Sequence, residues 1–287
     1  MAFELADAHV TIVGLGLMGG SLAGALRGRC RQITGVVRKA ESARAALDQG
    51  LVDRCTTDLE EGLRQAHVVI LAMPVRAILQ QLPILGPLLP EGCLLMDLGS
   101  TKAQIVAEMA KLPPHVQPLG AHPMCGKETS GLQAADPALY RGRTFILCPL
   151  PRTSPESLAL GESLARAVGA HPLILEPERQ DFLVGTVSHL PYLLACSLVS
   201  TADATTSADP AAWEIVAGGF RDTSRVAGSD VTMMLDILLT NRAKVLKAVG
   251  AYQAQLQSLA DLLQAGDEEG LRARLAAIRQ TRIEMFP

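Results

Sequence analysis

Aromatic side chains are scarce in this 287-residue chain: five Phe, three Tyr and one Trp, 3% of the total. Proteins that grip single-stranded nucleic acid stack bases on such rings, so the scarcity argues against that class. An excess of either charge is also missing. Lys and Arg number 26 against 29 Asp and Glu, a net charge of −3. Neither nucleic acid nor an anionic membrane is therefore an expected partner. Paired cysteine spacing is absent. Cys30, Cys55, Cys93, Cys125, Cys148 and Cys196 are far apart with no CxxC, which predicts no metal site and free thiols in a reducing, cytoplasmic compartment. No uncharged apolar run approaches the length that crosses a bilayer. The first residues carry Glu4 and Asp7 and do not read as a secretory signal.

What is present is a globular composition, 48% apolar and 19% charged. The first half alternates two kinds of segment. Strand-like runs fall at His9–Val13, Ile33–Val37, Val68–Ala72, Leu94–Asp97, Val116–Leu119, Phe145–Cys148 and Leu173–Leu175. Helix-like segments lie between them, at Gly19–Leu26, Ser42–Gln49, Leu59–Arg64, Val75–Leu85, Thr101–Lys111 and Pro155–Val168. Short apolar strands separated by helices predict parallel crossovers and a doubly wound, Rossmann-like α/β sheet.

Past Glu176 the strand pattern stops. Arg179–Thr201 reads as a helix interrupted by Pro191, and Asp209–Pro210 as a helix start. Ser229–Asp230 caps a predicted long helix to about Ala265, with a stripe of Leu235, Leu238, Val245, Val249, Tyr252, Leu256, Leu259 and Leu263. Gly266 and Asp267 end it and open another, whose face is Leu271, Leu275, Ile278 and Ile283. Such stripes call for a partner surface, so a homodimer through an all-α C-terminal domain is expected. The predicted division is 1–176, dinucleotide-binding, and 177–287, helical, with the active site in the cleft between them.

Val10–Thr11–Ile12–Val13 runs into Gly14–Leu15–Gly16–Leu17–Met18–Gly19, a GxGxxG between a strand and a helix. Gly14 allows the tight turn, Gly16 lets the backbone approach a pyrophosphate, and Gly19 lets the helix pack on the sheet. The phosphates would meet the unpaired N–H groups of the helix start, at Leu17 and Met18. Where an NAD site carries an acidic residue for the ribose, this chain has Val37, followed by Arg38 and Lys39. Two cations there suit a 2′-phosphate, so NADP, or use of both NADP and NAD, is expected. As solvated loop charges the pair would say nothing about the cofactor.

Three polar clusters follow. Asp97–Leu98–Gly99–Ser100–Thr101–Lys102 comes after one strand, and Gly120–Ala121–His122–Pro123–Met124–Cys125–Gly126 after the next. The third cluster lies in the helical part and joins Ser188–His189–Leu190–Pro191 with Gly218–Gly219–Phe220–Arg221–Asp222–Thr223–Ser224–Arg225. Ligands of doubly wound sheets bind beyond the carboxyl ends of the strands, so the first two loops face the cofactor crevice. A histidine on such a loop is a ready base, because it titrates near neutral pH.

In order and spacing, GxGxxG, DLGSTK, GAHPMCGKETSG, VSHLP and GGFRDTSR resemble the prephenate/arogenate dehydrogenase family over nearly the whole chain. The resemblance implies oxidative decarboxylation of a small cyclohexadienyl acid in tyrosine biosynthesis. It implies that His122 accepts the substrate hydroxyl proton while hydride goes to the nicotinamide. Ser100 matches a serine near that histidine, and as a plain residue would be a helix N-cap. Arg225 matches the arginine that grips a substrate carboxylate, with Arg221 as the other candidate. His189 matches a pocket histidine, or else satisfies a backbone group freed by Pro191. Asp222 would orient a neighbouring basic group. Cys125 reads as a packing residue, and Arg242 faces either pocket or solvent. Some members carry an aromatic residue where this chain has Met233 and Met234. With the chain running to Pro287, neither an ACT nor a chorismate mutase domain is expected, and any tyrosine inhibition would act at the active site. Two alternatives stand beside this reading: a β-hydroxyacid dehydrogenase using Lys244 or Lys247, and a non-catalytic dinucleotide sensor.

Overall fold

The computed structural model describes residues 4–127, 129–209 and 211–286. Eight strands form one sheet: β1 His9–Val13, β2 Gln32–Val36, β3 Arg54–Thr56, β4 Val68–Leu71, β5 Leu94–Asp97, β6 Gln117–Pro123, β7 Thr144–Pro149 and β8 His171–Ile174. Their order is β3-β2-β1-β4-β5-β6-β7-β8. Helices α1 Leu17–Leu26, α2 Ala40–Asp48, α3 Leu59–Leu63, α4 Val75–Leu85, α5 Ala103–Met109 and α6 Pro155–Ala167 connect them. β4 and β5 are short runs buried along their whole length, as central strands covered on both faces must be. One core, with Ile12, Leu22, Leu26 and Leu164, lies under α1 and α6. The other, with Leu63, Ile78, Leu82 and Ile105, lies under α3, α4 and α5. The expected doubly wound sheet with a helical C-terminal part is the observed architecture.

Three details of the sheet depart from the sequence reading. β3 is an added strand whose short, polar Arg-Cys-Thr run gave no apolar signal. β6 continues past Leu119, so His122 lies within a strand, opposite Ile146, and not on a loop. β6 and β7 pair antiparallel, while every other pair is parallel.

Among the described residues, seven helices follow the sheet: α7 Pro177–Val184, α8 Leu190–Thr206, α9 Ala211–Glu214, α10 Gly218–Ser224, α11 Val231–Thr240, α12 Arg242–Gln264 and α13 Glu268–Met285. Pro191 does not interrupt its helix. A π-helical stretch, Gly185–His189, joins α7 to α8 and leaves Pro191 in the first turn of α8, where its missing N–H is tolerated. Residues 177–206 thus form one rod, long and apolar enough by length and composition alone to cross a bilayer, which the sequence reading did not anticipate. Its polar residues Gln180, Asp181 and His189 are buried inside the protein. Pro210, read as a first-turn proline, lies outside the described residues.

The predicted helix from Asp230 to Ala265 is two helices. Asp230 does cap the first, accepting from Met233 N at 2.8 Å. The break comes at Asn241, whose backbone leaves helical geometry (φ −118°, ψ 24°) while its side chain turns inward. Gly266, at φ +65°, ends α12, and Asp267 caps α13 through Gly270 N at 2.9 Å. The helical part is tied to the sheet near the starts of α4 and α5. Arg76 pairs with Asp236, Thr101 and Thr240 share a hydroxyl bond of 2.9 Å, and Gln104 donates to Thr240 O.

Candidate active site

The glycine turn sits at the carboxyl end of β1. Gly14 has φ +97°, and a Cβ there would lie 2.5 Å from Ala72 O. Gly19 is held tighter, since a Cβ would come within 1.9 Å of Gly14 O. Gly16 differs: nothing lies within 4 Å of where its Cβ would be. Two glycines are thus required by packing and one borders open space. Gly16 also precedes α1 without any side-chain cap, so the first amides of the helix, at Leu17 and Met18, lack a capping side chain. An open, uncapped helix start next to a glycine without neighbours fits a dinucleotide pyrophosphate. At the end of β2, Val37 is buried and Arg38 and Lys39 are exposed, without an ion-pair partner among the described residues.

β1, β4, β5 and β6 run parallel, so the ends of β5 and β6 share the edge of the sheet with the glycine turn. His122 stands there, 7% exposed. Its Nδ1 lies 2.8 Å from Nε2 of Gln180, a fully buried residue of α7. The same Nε2 donates to Ser100 O at 3.2 Å. Ser100 is therefore joined to His122 through its backbone carbonyl and the Gln180 amide. It is not a helix cap: α5 begins at Ala103, and the cap is supplied from α7. Asp181 accepts from Lys102 N at 2.6 Å and from Ala103 N at 2.9 Å.

Beneath His122 lies a fully buried ion pair. Lys102 Nζ is bonded to Asp97 and donates to Ala121 O at 2.8 Å, while Asp97 also accepts from Ala121 N and Gly99 N. The pair fixes the residue before His122 by both its backbone groups. Burial lowers the His122 pKa well below its ordinary value, and the Lys102 charge and then His189 push the same way. The imidazole is therefore neutral at physiological pH. His189, also buried, is lowered to about 4 by desolvation. Its Nδ1 lies 3.3 Å from Asn241 Nδ2, which donates to Asp181 O at 2.7 Å. A side-chain amide, not a backbone group freed by Pro191, is its neighbour.

Two family models match. One described as prephenate dehydrogenase, nucleotide-binding domain, covers residues 22–174, and one described as prephenate dehydrogenase, dimerization domain, covers 176–277. The chain belongs to the prephenate dehydrogenase family. The prephenate dehydrogenase of Bacillus subtilis is 33% identical over 91% of this chain and 72% of its own length. The cyclohexadienyl dehydrogenase of Zymomonas mobilis is 30% identical over 93% and 95%. Among solved structures, prephenate dehydrogenase from A. aeolicus with hydroxyphenyl propionate and NAD+ superimposes with a TM-score of 0.91 at 33% identity, covering 99% of this chain and all of the other.

Asp222, in α10, and Arg225, in the short turn after it, are exposed on a segment packed against α8. Among the described residues, the side-chain bonds to the two buried imidazoles come from Gln180 and Asn241. Arg221 and Arg242 are exposed. Lys244 pairs with Glu178, and Lys247 lies over the Phe182 ring, 5.7 Å from its centroid, which uses both lysines on the surface. Burial raises the Cys125 thiol to about 11, against a nucleophilic thiolate. Among the described residues no group of three or more acidic, His or Cys side chains could hold a metal.

Sequence reasoning missed Gln180, Asp181, Asn241 and the role of Lys102. Gln180–Asp181 is a polar pair beside the apolar run Phe182–Leu183–Val184, which was a weak signal. Thr240–Asn241 inside an apolar stripe was a better one, because Asn favours helix ends.

Proposed function

We propose that this protein oxidises a cyclohexadienyl alcohol, prephenate or arogenate, with loss of carbon dioxide, giving 4-hydroxyphenylpyruvate or tyrosine. The observation that carries this reading is a buried, neutral His122 on the edge of the sheet that also bears the open glycine turn. A bound nicotinamide dinucleotide, NADP or NAD, supplies the hydride acceptor. Gly16 and the amides of Leu17 and Met18 hold its pyrophosphate, in a turn shaped by Gly14 and Gly19, and Arg38 and Lys39 favour a 2′-phosphate.

His122 takes the proton of the substrate hydroxyl as the ring carbon becomes a carbonyl carbon. The dienone then loses its ring carboxylate and becomes aromatic, which draws the reaction forward. Ser100 holds the His122 side of the pocket, and His189 lines it from the π-helical stretch before α8. Arg225 grips a substrate carboxylate through its two-pronged guanidinium, with Asp222 orienting it. These last assignments rest on the GGFRDTSR and VSHLP motifs.

The reading also takes residues 1–176 as the dinucleotide-binding unit and 177–287 as the substrate-binding and dimerisation unit. A homodimer is supported by the apolar side chains that α12 and α13 expose, Leu256, Leu263, Leu275 and Ile278 among them. Six free cysteines accord with a cytoplasmic setting.

The test is direct. The protein is mixed with NADP or NAD and with prephenate or arogenate, and the absorbance of reduced cofactor is followed. Turnover is expected, and His122→Asn is expected to lower kcat about 10²- to 10⁴-fold. No reduction with any of the four pairs, or an unimpaired His122→Asn, overturns the reading.

A further inference from the structure

We propose that Gln180 is a positioning residue that selects which nitrogen of His122 carries the proton, and that its amide must turn over for His122 to act as a base. The proposal rests on the reading of His122 as the proton acceptor. It starts from three observations.

The Gln180 nitrogen is identified by Ser100 O, a pure acceptor 3.2 Å away that a carbonyl oxygen could not face without repulsion. The same nitrogen lies 2.8 Å from His122 Nδ1 and donates its second hydrogen there. An Nδ1 that accepts keeps its lone pair, so the neutral ring carries its proton on Nε2. In that form Nε2 donates and has no lone pair for a substrate hydroxyl. The resting ring is thus held in the tautomer that cannot take the proton.

The third observation is Gln180 Oε1, which is buried and has no hydrogen-bond partner among the described residues. An orphaned acceptor carries a free-energy penalty, so the resting amide is not locked. A half-turn about the last side-chain bond exchanges Oε1 for Nε2. The ring gives up its Nε2 proton to solvent water and takes one back at Nδ1, so its proton count is unchanged; Gln180 Oε1 then accepts from His122 Nδ1–H, and His122 Nε2 presents its lone pair. When Nε2 takes the hydroxyl proton, both ring nitrogens carry hydrogen, and Oε1 is the acceptor that the cation needs. The turned state places Oε1 against Ser100 O, so it is favoured only while Nδ1 is protonated. The two orientations therefore track the two tautomers.

Among the described residues, the other polar side chains bonded around the two histidines are already engaged. Asp97 is spent on Lys102, Ala121 N and Gly99 N; Asp181 on the amides of Lys102 and Ala103; Asn241 on Asp181 O and His189. The remaining nearby charges, Lys102 and a protonated His189, both oppose a cation on the ring.

The full-length protein, labelled with ¹⁵N-histidine, tests this without substrate or cofactor. The His122 signals are identified by their loss in His122→Asn, and the chemical shifts show which nitrogen is protonated. In the unmodified protein the expected pattern is hydrogen on Nε2 and a bare Nδ1. In Gln180→Glu the carboxylate accepts from Nδ1, so the proton moves there and the acidic limb of kcat moves up. In Gln180→Met, of similar size, the tautomers mix, and kcat falls about 10- to 100-fold with KM within about threefold. A resting Nδ1–H form, or a Gln180→Met protein with unchanged tautomer and kcat, overturns the proposal. Should the Met variant not fold, the unmodified and Glu spectra decide alone. Because the spectra need no turnover, a failed dehydrogenase assay and a failed tautomer assignment are separate results.

Discussion

The α/β half and the helical half use the same apolar residues to opposite effect. In the sheet, Val68, Val69, Ile70 and Leu71 are all fully buried, and helices cover both faces. In the helical half, α12 buries only Val245 and Ala248, near its start, and α13 buries nothing. The two helices lean on each other and turn Leu256, Leu263, Leu275 and Ile278 outward. A doubly wound sheet closes its own core, whereas a helical hairpin has one side covered and one to spare. The lesson is that the stripe read from the sequence measures a demand for cover, and a single chain does not meet it. A second copy of the chain is the cover proposed here.

The same contrast holds for ion pairs, and breaking one in each half gives the largest expected effect. Lys102 and Asp97 are fully buried, while Lys244 and Glu178 are 36% and 69% exposed. Lys102→Met strands a carboxylate in the core and is expected to cost about 3–5 kcal/mol in urea unfolding. Lys244→Met is expected to cost about 1 kcal/mol or less. Equal losses would mean that the sheet half tolerates an unpaired core charge, which would erase the distinction. The next effect concerns the uncovered hairpin. Leu256→Glu is expected to halve the mass seen by sedimentation at micromolar concentration. It should also remove the dependence of Tm on protein concentration, because association stabilises by mass action. An unchanged dimer, or a monomeric parent protein, would show that α12 is not the joined surface.

How far the sequence could be read follows the same division. The glycine turn was legible because each glycine answers a local demand: φ at Gly14, contact at Gly19, open space at Gly16. Central strands were legible because burial on both faces writes continuous apolar runs. The edge strand β3 was not, since a strand with one neighbour can be polar. In the candidate site, His122 was singled out by its motif, but not its place within β6 or its partner. Asp181 caps a helix 79 residues before it, and Gln180 meets His122 across 58 residues. Such bonds leave no periodicity and no spacing to read. The break at Asn241 was hidden because its cause, a side chain drawn inward to Asp181 and His189, is tertiary. Arg225 and Asp222 were named by motif, and nothing local in their residues fixes where they point.

The two buried histidines offer a finer measure of how the halves are joined, since His122 stands in the sheet and His189 in the helical part. Burial lowers both, His189 to about 4. An unfolded histidine titrates near pH 6.5. Between that pH and about 4, the unfolded chain binds a proton at position 189 that the native protein refuses. The unfolded state then holds more protons, so stability is full above about pH 6.5 and falls as the solution is acidified, by about 1.4 kcal/mol per pH unit for one such group. Asp97 and Asp181 act with the opposite sign, because burial raises their pKa and lets the native state keep a proton longer. A raw pH curve would mix these contributions, but the difference between the parent protein and His189→Asn isolates one. Asn241 keeps a side-chain neighbour in that variant, so the loss at neutral pH should be modest. On acidification from pH 6.5, the parent curve should fall faster than the variant curve by about 1.4 kcal/mol for each pH unit until near pH 4. Urea midpoints at half-unit steps would measure it. Parallel curves would mean that water reaches His189 in the folded protein, and that the junction between sheet and helices is open where the structure shows it closed.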